Sequence, residues 1–138
     1  MERLDLKDTS RIVEIIQSTP RDFYDTLREL RKYYNISQEK MAERMLISCT
    51  SYRNIENRKT KHITPEIVIA VCIALKLDLE LSMDLFEKSG QSGIFYMKDT
   101  KSVAYRKILC KNGQYDLREV NDALIEIGIE PLRIKRTK

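Results

Sequence analysis

His62 is the chain's single histidine, and Cys49, Cys72 and Cys110 lie 23 and 38 positions apart. That inventory holds no second imidazole, no C-x-x-C and no H-x-x-x-H pair, so a structural zinc site is not expected. Asp22/Asp25 and Glu39/Glu43 have ordinary helix-surface spacing and no partner base, so no catalytic constellation and no cofactor are expected. Cys72, inside IVIAVCIAL, reads as a small buried apolar residue. What remains is binding chemistry, concentrated between Cys49 and His62. There Arg53, Arg58, Lys59 and Lys61 stand against Glu56 alone, beside the small polar residues Thr50, Ser51, Asn54 and Asn57. Localised positive charge beside a neutral or acidic body is the footprint of a polyanion binder, although a solvated charged surface gives the same count.

The elements that must position these residues are helices with clear punctuation. Thr19-Pro20 with Asp22 predicts a helix start, followed by Phe23, Leu27, Leu30 and Tyr34 on one helical face. Asn35-Ile36 breaks it. Ser37 opens QEKMAERM with Met41, Ala42 and Met45 inward, and Ser48 caps CTSYRNIEN, whose only apolar pair is Tyr52 and Ile55. Thr64-Pro65 starts IVIAVCIAL, apolar on nearly every side and therefore central. LELSMDLFEKS follows and stops at Gly90. GQSGIFYMKD, with two glycines in four residues, reads as a linker. Beyond it SVAYRKILCK closes at Asn112-Gly113, and Asp116-Leu-Arg-Glu119 is a capping-box pattern. The helix it opens carries Leu117, Val120, Leu124 and Ile127 and ends at Gly128. RIVEIIQS adds one more short helix at the start.

The expected class is therefore all-α. The organisation is an N-terminal helical extension over 1–20, a domain over 21–90, a linker over 91–98 and a helical extension over 99–138. The chain has 138 residues, 42% of them hydrophobic, and a net charge of +4. No apolar run approaches the ~20 residues of a membrane helix, and the start MERLDLKDTSR lacks the apolar stretch of a signal peptide. With widely spaced thiols, this predicts a cytoplasmic protein without membrane or metal partners. The roughly 45 residues past Gly93 are close to the ~40 below which chains rarely fold alone. Tyr105, Leu109, Leu117 and Leu124 are thus expected to cap the core, to form a dimer surface, or both.

Two short helices joined by a tight turn, just after a longer amphipathic helix, match a helix-turn-helix arrangement. Cys49, Thr50, Arg53, Asn54 and Asn57 then lie on the outward side of the second helix, with Asn54 one turn along from Thr50. Small polar residues at its N-terminal end leave room for base edges, and an Asn amide can bond adenine N6 and N7 together. Arg58, Lys59 and Lys61 follow the helix, where phosphate contact is sterically easy.

The stretch LRELRKYYNISQEKMAERMLISCTSYRNIENRKTKHITPEIVIAVCIALKLD resembles the lambda-repressor-like, Cro-type (XRE) helix-turn-helix domain. The resemblance rests on Arg31, Ser37-Gln38 with Met41-Ala42, Ile47-Ser48, Ile55-Glu56-x-x-Lys59 and the apolar helix ending Ala74-Leu75, and covers roughly residues 23–90. It implies five core helices, with Ser48–Asn57 as the recognition helix in the major groove of double-stranded DNA. It further implies Gln38 on a phosphate or buttressing a base-reading side chain, and Cys49, Thr50, Ser51 and Asn54 facing the bases. Arg31 and Glu56 would form a structural ion pair. Leu46 and Arg58 stand where the family usually has glycine, and Cys49 where it has Gln or another polar residue. A left-handed backbone at Leu46 would cost about 1 kcal/mol, which burial of its side chain would offset. The tail AYRKILCKNGQYDLREVNDALIEIGIEPL looks like that of short bacterial and mobile-element regulators. The function so implied is a transcriptional regulator, a repressor acting as a homodimer. The alternative is an adaptor or antitoxin-like partner that uses the same fold to bind protein.

Overall fold

The computed structural model describes residues 3–19, 22–111 and 113–133. Among them the chain is all-α and forms eight helices and no strand: α1 (Thr9–Ser18), α2 (Phe23–Tyr33), α3 (Gln38–Arg44), α4 (Cys49–Glu56), α5 (Pro65–Leu75), α6 (Leu79–Lys88), α7 (Thr100–Cys110) and α8 (Leu117–Glu126). A single 3-10 turn, Ser92–Phe95, lies between α6 and α7.

Helix starts are set locally, by side-chain oxygens accepting orphan backbone N–H groups. Ser37 accepts from Lys40, Ser48 from Ser51, Thr64 from Ile67 and Asp78 from Leu81, while Asp116 and Glu119 form a reciprocal capping box. One start differs from the sequence expectation. Asp22, not Thr19, caps α2 by accepting from the Asp25 N–H at 3.0 Å. Thr19 instead ends α1 in an extended conformation, and its hydroxyl is held by the Ile16 carbonyl and by Lys88 Nζ. A carboxylate at Asp22 supplies a stronger acceptor than a threonine already used elsewhere. Pro20 and Asn112 lie outside the described residues.

Helix ends share one motif. After α2, α3, α4 and α5 a residue adopts the left-handed conformation (Asn35, Leu46, Arg58 and Lys76, φ between 54° and 64°). The next N–H donates five residues back: Ile36 to Arg31, Ile47 to Ala42, Lys59 to Asn54 and Leu77 to Cys72. Each is a Schellman closure, which normally selects glycine, as Gly90 and Gly128 do after α6 and α8. Leu46 is 43% exposed, so burial offsets its backbone strain only in part. Leu46→Gly relieves the strain but adds entropy to the unfolded chain and removes the covered part of the leucine side chain. The net change is expected to stay within about 0.5 kcal/mol, or about 2 °C in Tm by calorimetry.

The core is built around α5, in which every residue from Ile67 to Leu75 is buried. Helices α2, α3, α6, α7 and α8 all pack against it. Arg44 at the end of α3 donates to the Ala74 carbonyl at the end of α5 at 2.8 Å, pinning the two helices. Residues 91–98, read from their glycines as a linker, place Ile94 in the core and Phe95 edge-on to Phe86. Tyr105, Leu109, Leu117 and Leu124 are all buried within the chain's own core, so they cap it and form no dimer surface. Ile127 is 55% exposed because α8 ends before it and the chain turns away.

Candidate nucleic-acid interface

Helix α4 is held from beneath and at both ends. Tyr52 and Ile55 are fully buried against α2 and α3, which leaves the opposite face to solvent. Glu56, 1% exposed, anchors the C-terminal end. Arg31 donates from Nε to Glu56 Oε2 at 3.0 Å and from Nη2 to Oε1 at 2.8 Å, a bidentate pair joining α2 to α4. Its Nη1 donates to the Ile36 carbonyl, and Arg28 adds a longer contact to Glu56 at 3.4 Å. Burial alone would raise the Glu56 carboxyl, but the hydrogen bonds and positive charge of Arg31, with Arg28 beside it, outweigh it and hold Glu56 below the usual range. The same carboxylate raises Arg31. Burial, and then the neighbouring carboxylate, push the Tyr52 hydroxyl far up, so it stays neutral at any ordinary pH.

The N-terminal end is fixed by its cap. Ser51 N–H donates to Ser48 Oγ at 3.1 Å, and Ser48 Oγ–H donates to Ser51 Oγ at 2.9 Å. Both hydroxyls are thus engaged locally. Thr50 is exposed, and Cys49 and Asn54 are half-buried at the surface. The side chains of Thr50 and Asn54 make no hydrogen bond among the described residues, so their polar groups remain open to a ligand. Asn57 is exposed at the helix end.

The cations of this region divide into two kinds. Arg53 leans back onto α3, donating to Gln38 Oε1 at 3.4 Å and pairing with Glu39 at 3.3 Å. Gln38 is thereby tied to a side chain of α4 rather than left free. Arg58 folds back onto the start of α2, with Nη2 at 2.9 Å from Asp22 and 3.2 Å from Asp25 and its guanidinium over the Tyr24 ring. The Asp25 hydrogen bond raises it. Tyr24 reinforces the latch by donating to the Thr60 carbonyl at 3.2 Å. Lys59 and Lys61, by contrast, are exposed and enter no ion pair among the described residues. Sequence reading placed Arg53 and Arg58 among the groups facing a ligand and missed Glu39, Asp22, Asp25 and Tyr24. No sequence spacing signals pairs 14 to 36 residues apart.

Elsewhere, burial pushes the Cys72 thiol up to about 12, which makes it inert. No group of three His, Cys, Asp or Glu among the described residues could hold a metal ion. No helix among them is long and apolar enough to cross a membrane.

A bidentate anchor at one end, a serine cap at the other and a polar face between them describe a helix presented outward by a rigid frame. Comparison with curated proteins and with solved structures gives no match. Residues 24–88, the span from α2 through α6, match the family model of a helix-turn-helix domain, and the chain carries such a domain there.

Proposed function

We propose that this chain is a sequence-specific double-stranded DNA-binding transcriptional regulator of the Cro type, a phage- or mobile-element-like repressor that inserts α4 into the major groove. The reading includes no catalytic step and no cofactor, and it places the protein in the cytoplasm with the nucleoid. The observation that carries it is that Thr50 and Asn54 of α4 and the exposed Lys59 and Lys61 just beyond it engage no partner among the described residues. Thr50 and Asn54, one helical turn apart, read base edges, and the two lysines hold phosphates. Arg58 acts by fixing the loop onto α2, since Asp22 and Asp25 already neutralise it.

The test begins by selecting bound duplexes from the source genome's fragments and then compares the selected site with a random duplex. Asn54→Ala or Thr50→Ala is expected to reduce discrimination by ~1–3 kcal/mol while leaving non-specific binding largely intact. Lys59→Ala weakens both duplexes about equally and lowers the log–log salt slope by ~1. Arg58→Ala leaves that slope unchanged. If both classes of variant behaved alike, the division of roles would fall.

One observation favours a second reading, a protein-binding adaptor or antitoxin-like partner. Arg53 and Arg58 are turned toward acids of their own chain, which reduces the free positive charge around α4. Such binding would depend on apolar contacts and respond weakly to salt. Selection that enriches no duplex motif, with the protein folded, supports this reading over the first.

A further inference from the structure

Lys59 and Lys61 lie in the loop that joins α4 to α5, and its backbone is held from two sides. On one side the Tyr24 hydroxyl of α2 donates to the carbonyl of Thr60, the residue between the two lysines. On the other, Gln91 Nε2 donates to the Ile63 carbonyl at 2.7 Å, from 28 residues further along the chain. The Lys59 and Thr60 N–H groups both donate to the Asn54 carbonyl of α4. Ile63 is buried, while Lys59, Lys61 and His62 are exposed. The loop is thus pinned at Thr60 and at Ile63, and only Lys61 and His62 lie between the pins. Gln91 owes its place to the way α6 ends. Gly90 takes the left-handed conformation (φ 76°), and the Gln91 N–H donates back to the Phe86 carbonyl at 2.8 Å. Just beyond, Ile94 is buried, Phe95 lies edge-on to Phe86, and Arg106 of α7 donates to the Ile94 and Met97 carbonyls. The backbone that carries Gln91 is therefore fixed on both sides.

On the reading of α4 as a DNA-contacting helix, we propose that Gln91 is a positioning residue of the DNA-binding surface. It acts through the loop, holding Lys61, and with it Lys59, where each meets a backbone phosphate. A loop ordered before the encounter does not charge its ordering entropy to the binding step. The DNA-binding unit then extends past residues 24–88, the helix-turn-helix domain, to a side chain supplied by the segment after α6. Contacts to phosphates position a protein on the duplex and carry no sequence information. Gln91 therefore governs affinity for any duplex and not the choice among duplexes, which rests with Thr50 and Asn54.

A mutant cycle on the whole chain, read as affinity for a random duplex at fixed salt, tests the proposal. Gln91→Met, which keeps the side-chain length and loses the donor, is expected to weaken binding about 3- to 10-fold. In a chain already carrying Lys59→Ala and Lys61→Ala, the same substitution should change affinity by less than about 2-fold, because nothing is left to position. The ratio of affinities for the selected and the random duplex should stay unchanged. A loss of equal size in both backgrounds marks a general effect on the fold and overturns the proposal, as does the absence of any loss in the native background. Trypsin supplies a readout without DNA: cleavage after Lys59 and Lys61 should be faster in Gln91→Met than in the native chain, and equal rates overturn the proposal as well. Circular dichroism melts check that the variants fold, and Gln91→Ala takes the place of Gln91→Met if the latter does not. A native chain that binds no duplex defeats the reading of α4 and the role of Gln91 together. A native chain that binds, with equal losses in the two backgrounds, defeats the role of Gln91 alone.

Discussion

Arg31→Ala is expected to destabilise the fold by about 3–5 kcal/mol at neutral pH, because it strands Glu56 as a buried, uncompensated carboxylate. Glu56 is 1% exposed and takes its two shortest hydrogen bonds from Arg31, with Arg28 too distant to replace them. The pH dependence follows from the direction of the Glu56 shift. In the folded chain its carboxyl is held below its unfolded value, so the pair's stabilisation is fully present above the ordinary carboxylate range near about 4.3. It is lost as pH falls through the lower, folded value. In the variant, burial without the guanidinium drives the carboxyl the other way, and the strain is relieved by proton uptake. The difference between native and variant should thus be largest at pH 7 and narrow toward pH 4, as read by urea denaturation at both. An unchanged melting temperature would show that the pair is not holding α2 to α4. On the proposed DNA-binding reading, the variant should also weaken discrimination between duplexes before it unfolds, because the same pair seats α4.

Leu109→Ala is expected to cost about 2–5 kcal/mol, the range for a buried leucine replaced in a core that relaxes only partly. Leu109 is 1% exposed on α7, which packs against α5 and α6. The location of the loss matters more than its size. Helix α5 is buried all round, and α7 and α8 supply part of that cover. Lys101 pairs with Glu66 at 2.8 Å, and the Tyr105 hydroxyl donates to the same carboxylate at 3.4 Å, which ties α7 to the start of α5. Unfolding should therefore remain one transition, with amide protection lost in α4 and α5 together with α7. If α2 to α6 kept their protection while α7 and α8 exchanged, the C-terminal helices would be a separate unit and the helix-turn-helix would stand without them.

What the amino-acid order determined by itself was the set of helices and the identity of most inward faces. Ser37, Ser48, Thr64-Pro65 and the Asp116–Glu119 box act within three residues of the groups they satisfy. The apolar sets Met41, Ala42 and Met45, and Tyr52 with Ile55, recur at the helical period and are all buried. Such interactions lie within one or two helical turns, so a short window of sequence contains both partners. The choice of polar residues on the outer face of α4 was legible for the same reason, since two apolar anchors fix which side faces out.

Tertiary structure alone decided how those helices use their charges and which surfaces stay open. Arg58 could have served a phosphate until α2 brought Asp22, Tyr24 and Asp25 beneath it. Arg53 was likewise drawn onto Glu39 of α3. Leu46 and Ile127 read as apolar and remain exposed, whereas Tyr105, Leu109, Leu117 and Leu124 turn inward onto α5. In each case the partners are far apart in the chain, and their meeting depends on how whole helices pack. A helix face is a local property of the sequence; what comes to lie against that face is a property of the packed whole.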